Sequence, residues 1–155
     1  MKLRVVALGH RMPAWVDAAF ADYARRLPRD FTLELVELTP EPRDRGRSVA
    51  RMLEAESKRI AAVTSGWTVA ALDERGAAWT TRELAARLAR WRDDGRSVAF
   101  AIGSADGLHR AVSEGAAAVV SLSALTLPHG LARVVVAEQL YRSASLLAGH
   151  PYHRP

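Results

Sequence analysis

An α/β fold, with a mostly parallel sheet flanked by helices, is the class this sequence predicts. Three observations lead to it. Segments 2–8, 67–73 and 97–102 are apolar and of strand length. Stretches with helical spacing of apolar residues separate them. The run SVAFAI at 97–102 is apolar throughout, as a strand buried on both faces of a parallel sheet must be. With 155 residues, 49% of them hydrophobic and 25% charged, the chain suits one domain (1–155) with a substantial core.

The elements follow in order. Residues 2–8 form the first strand. Residues 13–27 form a helix with Pro13 near its start and Trp15, Ala18, Ala19, Tyr23 and Leu27 expected on its apolar face. FTLELVEL at 31–38 alternates with period two, as a half-buried strand does. TPEPRDRGR at 39–47 is a polar loop, expected to be mobile, with charges at Arg43, Asp44, Arg45 and Arg47. Ser48 caps a helix over 48–64. WTVAALD at 67–73 is the third strand. Thr80-Thr81-Arg82-Glu83 matches a capping box and opens a helix to about Arg92, ended by Asp93-Asp94-Gly95. After the fourth strand come the loop GSADG at 103–107, a short helix near 108–116, a fifth strand at 117–121 and a last helix over 130–148.

Bulk properties narrow the function. The net charge is +5 and the isoelectric point about 10.4, which favours a polyanionic partner. Of the 22 basic residues only Lys2 and Lys58 are lysine, and arginine suits phosphate contact and base stacking. Genomic base composition explains the Arg/Lys ratio equally well. The absence of cysteine rules out disulfides and thiolate chemistry. No apolar run reaches the ~20 residues of a membrane span, and the N-terminal apolar stretch is too short for a signal peptide. The expectation is a cytoplasmic protein with no membrane contact.

In open α/β sheets, ligands bind beyond the carboxyl ends of the strands. Three such ends carry suggestive loops: Leu72-Asp73, Gly103 to Gly107, and Leu122 to Leu127. Leu122, Ala124, Leu125 and Leu127 would line an apolar slot for a flat ring, with loop backbone reading its edges. GSADG is neither a dinucleotide fingerprint nor a P-loop. His150 and His153 have no acidic neighbour in sequence, so no metal is expected. His129 precedes the last helix, whose dipole favours a neutral ring; the alternative is a plain turn residue after Pro128. The last helix is apolar around much of its circumference, which suggests a second buried face and a homodimer, with burial inside the domain as the alternative. Glu138 and Arg142, four apart, read as a surface pair.

At Ser121-Leu122-Ser123-Ala124-Leu125-Thr126-Leu127-Pro128-His129, the helix segment VAEQLYRS and the terminal His150-Pro151-Tyr152-His153-Arg154, the sequence closely resembles the ribosomal RNA large subunit methyltransferase H family of SPOUT-class enzymes. The resemblance covers the whole chain. Lys2-Leu3, Gly9, Met12-Pro13-Ala14-Trp15-Val16, Tyr23, Arg26, Leu72-Asp73, Trp79 and Ile102-Gly103 agree with it.

The resemblance implies a trefoil-knotted α/β fold at the C-terminal side, a homodimer and S-adenosylmethionine as cofactor. It implies methylation at N3 of a pseudouridine in 23S rRNA, within the large subunit or the 70S ribosome. Carried over residue by residue, it places cofactor binding at Leu72, Gly103, Leu122, Ser123, Ala124, Leu125, Thr126 and Leu127. Ser104 stands where the family commonly has a second glycine, and is expected to narrow the slot or restrict its backbone.

N3 of a uracil-type ring carries a proton at neutral pH, so the enzyme must orient the ring and remove that proton. The candidate catalytic residues are Tyr152 to stack on or hydrogen-bond the base, His153 to accept the proton, and Arg142 and Arg154 to hold phosphate or a developing imidate. The tail is expected to act on the partner subunit's slot. Arg4, Arg25, Arg26, Arg29 and Arg43 to Arg51 form a candidate RNA footprint. The rival reading is an idle RNA-binding or ribosome-assembly factor of the same fold.

Overall fold

The computed structural model describes residues 1–43 and 46–153, the side chain of His153 excepted. Its five strands are β1 (Lys2–Leu8), β2 (Thr32–Leu38), β3 (Thr68–Ala78), β4 (Val98–Ile102) and β5 (Ala118–Ser121). They pair in parallel in the order β2-β1-β4-β3-β5. Every strand therefore ends at the same edge of the sheet, and all the strand-to-helix loops gather there.

The helices are α1 (Ala14–Arg26), α2 (Val49–Val63), α3 (Thr81–Asp93), α4 (Arg110–Gly115) and α5 (His129–Leu147), followed by a single 3-10 turn, Pro151–His153. Local signals set several of their ends. The Ser48 hydroxyl accepts from the Arg51 N–H, and Thr80 and Glu83 form the full capping box. Gly95 takes up a left-handed φ of 70° beyond the end of α3.

Side-chain alternation divides the core between the two faces of the sheet. Leu3, Val5, Phe100 and Ile102 pack with α1, α3 and α5, whereas Val6, Leu8, Ala99 and Ala101 pack with Ile60 of α2 and with Leu108. The central strand β4 is buried at every residue. From edge strand β5 the chain turns back through 122–128 into α5, which lies between α1 and α3.

Four expectations need correction. Trp15 is 55% exposed, and the buried face of α1 is instead carried by Val16 and Phe20, with Leu27 just beyond the helix. Val16 lies there because Gly130 at the start of α5 approaches it: a Cβ on that glycine would stand 3.0 Å from a Val16 methyl. Strand β3 runs past residue 73 to Ala78, breaking register with β5 between Leu72 and Ala77. Gly76 is needed at that break, since a Cβ there would come within 2.6 Å of Val120 backbone.

The apolar girth of α5 is absorbed inside the chain, between α1 and α3, so it is not by itself a sign of a second subunit. Only Leu131 of its large apolar residues stays exposed. The described part of the loop at 39–47 is not free either. Glu41 is buried and paired with Arg47 and Arg59, and Arg43 is bonded to Glu56 and Asp106. Asp44 and Arg45 lie outside the described residues.

Candidate functional site

A cleft of about 390 Å³ opens at the carboxyl ends of β3, β4 and β5. Its walls come from the three loops that the sequence singles out. Leu72 and Asp73 stand at the bend in β3, Ile102 to Gly107 follow β4, and Val120 to Ser123 with Leu125 to Leu127 follow β5. His129 and Ala132 close the side formed by α5. A smaller apolar recess of about 70 Å³, reaching Trp79, Leu84 and Phe100, shares Leu72, Val120 and Leu122 with the cleft.

Each wall has a local cause. The turn after β4 is closed by reciprocal backbone bonds, Ser104 N–H to Gly107 O at 3.2 Å and Gly107 N–H to Ser104 O at 2.9 Å. Residue 103 must be glycine, because a Cβ there would fall 2.3 Å from Gly107 backbone. In the next loop the Ser123 hydroxyl accepts from the Leu125 N–H at 2.9 Å, and the Ser121 hydroxyl donates to Ser123 O at 3.0 Å. These bonds shape a tight local turn. Leu122, Ser123, Leu125, Thr126 and Leu127 reach the cleft, Leu125 at its rim with 77% exposure. Ala124 is exposed and forms no part of the wall, contrary to expectation, because the Ser123 turn carries it outward.

His129 is the first residue of α5 rather than a turn residue, and its buried Nδ1 has no hydrogen-bond partner among the described residues. Burial, and then the nearby Arg133 guanidinium, push its pKa below the usual histidine value, so the ring is neutral near pH 7. Arg133, one turn on, is wholly buried; it donates to Glu37 and to Gly9 O, both at 2.8 Å. Asp73 is held below the ordinary carboxylate range by hydrogen bonds from Arg75, against the opposing effect of burial.

Ser104 does not intrude on the cleft with a free hydroxyl. Its Oγ donates to Glu56 Oε2 at 2.8 Å and accepts from Arg43 Nη2 at 2.6 Å. Glu56 is 1% exposed, and also accepts from Arg43 Nη1 and the Glu41 N–H. Burial alone would raise its carboxyl, but the bonds from Arg43, Glu41 and Ser104 outweigh that and hold it below its usual value.

The tail forms a second cluster. The Tyr152 ring packs on Tyr141 with centroids 4.5 Å apart, and Tyr141 meets Tyr23 of α1 at 6.0 Å. Arg142 lies 4.8 Å over the Tyr152 ring and grips Glu138 with two nitrogens, Nε at 2.7 Å and Nη2 at 2.5 Å. Burial, followed by the neighbouring Tyr23 hydroxyl, pushes Tyr152 up to about 12, so it is a hydrogen-bond donor and not a base at neutral pH. Its hydroxyl lies 3.4 Å from Glu138. The side chain of His153 and all of Arg154 lie outside the described residues.

The chain thus brings the expected cofactor residues together, Ala124 excepted, and brings Arg142 and Tyr152 together, but it keeps the two groups apart. Arg142 is about 15 Å along α5 from Ala132 in the cleft wall, at 1.5 Å per residue. The cluster also faces α1, whereas the recess continuing the cleft faces α3.

Comparison with known proteins agrees with this geometry. The family described as "Predicted SPOUT methyltransferase" matches residues 1–153. The protein "Ribosomal RNA large subunit methyltransferase H" of Nitrosospira multiformis is 52% identical over 155 residues, covering 99% of each chain. The protein of the same name from Bordetella petrii is 54% identical with the same coverage. This chain belongs to the ribosomal RNA large subunit methyltransferase H family of SPOUT enzymes.

A solved structure titled as a probable methyltransferase from Bordetella pertussis superimposes with a TM-score of 0.62 at 21% identity, over 92% of this chain and 95% of its own. It supports the fold. As a member of its family, the chain is a methyltransferase and uses S-adenosylmethionine. The cleft suits that cofactor, with apolar walls at Leu72, Ile102, Leu122 and Leu127, loop backbone on three sides, and the buried Nδ1 of His129 seeking a partner.

Packing gives several polar side chains partners that lie far from them in sequence. Glu138 pairs with Arg142 as their i,i+4 spacing suggests, and in addition accepts from the Tyr152 hydroxyl. Glu56 and Arg133, which nothing in the sequence singles out, are among the most deeply buried side chains. Tyr23, and Glu138 within VAEQLYRS, had a sequence signal through the family motif.

Proposed function

We propose that this chain methylates N3 of a pseudouridine in 23S rRNA, acting as a homodimer on the large subunit or the 70S ribosome in the cytoplasm. The observation that carries the reading is the pairing of an apolar cleft at the strand ends with a separate Arg142–Glu138–Tyr152 cluster. The names of the relatives, at about half identity along the whole chain, supply the substrate class. No helix among the described residues is long and apolar enough to cross a membrane.

Leu72, Gly103, Leu122, Ser123, Leu125, Thr126 and Leu127 would hold the cofactor, with backbone groups of the glycine turn and the Ser123 loop reading the adenine edge. The bound cofactor supplies an electrophilic methyl on a sulfonium. The remaining work falls to the chain. Tyr152, kept protonated, orients the flipped base through its ring and hydroxyl. Arg142, fixed in direction by Glu138, faces the negative charge that grows on the ring as N3 loses its proton. His153 is the candidate acceptor of that proton, and Arg154 a candidate phosphate contact.

The separation of cluster and cleft within one chain favours a composite site, in which one subunit's tail serves its partner's cleft. Trp15 and Leu131, exposed near the paired starts of α1 and α5, offer apolar surface for that contact. Mass spectrometry of 23S rRNA from a deletion strain and its complemented counterpart tests the reading. A methylated pseudouridine that disappears and returns is expected; an unchanged modification pattern would refute it.

A further inference from the structure

The cofactor-side turn at 103–107 is held from outside by the Arg43 guanidinium and the Glu56 carboxylate. All three nitrogens of Arg43 are engaged, two on the turn and one on Glu56 and Glu41 O behind it. Nε donates to Asp106 Oδ2 at 2.9 Å, Nη2 to Ser104 Oγ at 2.6 Å, and Nη1 to Glu56 Oε1 at 2.7 Å. Ser104 and Asp106 are two of the residues that wall the cleft. Glu56 is the fixed post behind them. It projects from α2, is 1% exposed, and receives Ser104 Oγ on one carboxylate oxygen and Arg43 with the Glu41 N–H on the other. Three segments far apart in sequence, the β2–α2 loop, α2 and the β4–α4 turn, meet through these side chains.

We propose that Arg43 is a positioning residue for cofactor binding, acting on the Gly103–Gly107 turn through Ser104 and Asp106, and that it is not an RNA contact. The inference rests on the reading of the cleft as the cofactor slot. Its physical ground is directional. A planar fork bonded at both ends of a short turn fixes the turn's distance and tilt, which one point charge cannot do. Glu56 fixes the fork in turn, because a buried carboxylate is stable only while its partners stay in place. The serine at 104 gains a role from this geometry: its hydroxyl is the link by which the buried acid reaches the turn. A glycine at that position has no such link.

The test uses full-length Ser104→Ala, Arg43→Ala, Arg43→Lys and the Ser104→Ala/Arg43→Ala double variant. Calorimetry with S-adenosylmethionine measures cofactor affinity, and turnover on 70S ribosomes separates kcat from the two KM values. Losing a charge-assisted bond that orders the turn is expected to raise the cofactor Kd about tenfold in each single variant. The double variant should lose less than the sum of the two single losses, since Arg43 and Ser104 share one bond while each keeps a separate one, to Asp106 and to Glu56. Arg43→Lys should resemble Arg43→Ala. The KM for ribosomes and its salt dependence should stay as in the wild type.

Cofactor affinity unchanged in Ser104→Ala and Arg43→Ala overturns the proposal. So does a rise confined to the ribosome KM with a weaker salt dependence, which would make Arg43 an RNA contact. If Arg43→Ala does not fold, Ser104→Ala decides. Gly103→Ala is the control for the slot itself. If it binds cofactor normally, the slot reading fails; if it alone loses binding, only the role of Arg43 fails.

Discussion

The guanidinium of Arg133, with no exposed surface, donates to the carboxylate of Glu37 at 2.8 Å across the start of α5 and the end of β2. The same side chain donates to Gly9 O at the end of β1. One residue of α5 thus locks two strand ends at the edge where the cleft opens, a single turn after His129.

Replacing Arg133 by Ala should therefore destabilise the fold strongly. It leaves a cavity and two acceptors without their donor, a loss on the order of 3 kcal/mol. Glu37→Gln, at a partly exposed position, should cost about 1 kcal/mol. Urea unfolding followed by circular dichroism measures both, and equal losses in the two variants would contradict the assignment.

Gly103→Ala should remove cofactor binding while leaving most of the fold. The added Cβ would meet Gly107 backbone at 2.3 Å, so the turn must open. We expect at least a ~30-fold weaker Kd for S-adenosylmethionine, about 2 kcal/mol. Thermal unfolding alongside calorimetry distinguishes this from global collapse.

Arg142→Lys and Tyr152→Phe should lower kcat on ribosomes and spare cofactor affinity, because their cluster lies away from the cleft. Lysine cannot reproduce the two-nitrogen grip on Glu138, and a fall of about a hundredfold is expected; removing only the Tyr152 hydroxyl should cost about tenfold. Mixed dimers of Gly103→Ala and Arg142→Lys subunits provide the sharper test. If each tail serves its partner, an equal mixture should recover about a quarter of wild-type activity, from heterodimers with one intact site. No recovery would place tail and cleft of the same subunit in one site.

Acid should weaken the fold in two steps. His129 is depressed below 6.5 in the folded state, so the unfolded chain binds more protons there, and stability falls as pH drops from 6.5 toward the lowered value. Glu56 is also depressed, so its contribution is present above 4.5 and is lost as pH falls through its folded value. Unfolding measured across pH should show His129→Gln flattening the first slope and Glu56→Gln the second. At the alkaline end, Tyr152 titrates near 12 when folded and 10 when unfolded, so stability should decline between those values.

Much of this protein was decided by neighbours in sequence. Most of the strands, the Ser48 cap and the Thr80–Glu83 capping box depend on residues within a few positions of one another and were legible there, whereas the run of β3 on to Ala78 was not. The three strand-end loops were legible as a site because parallel strands deliver their ends to one edge, and the motif at 121–129 with the terminal tail carried the family. Charge in a helix, by contrast, reads as solvated, and only packing reveals that Arg133 and Glu56 are buried and paired. The bond from Arg43 to Ser104 joins residues 61 apart, and a local turn at Ser123 sends Ala124 outward where hydropathy would have kept it in the wall. Local preference and family motif are written along the chain; which polar groups meet in the interior follows from how the loops at the strand ends come together in space.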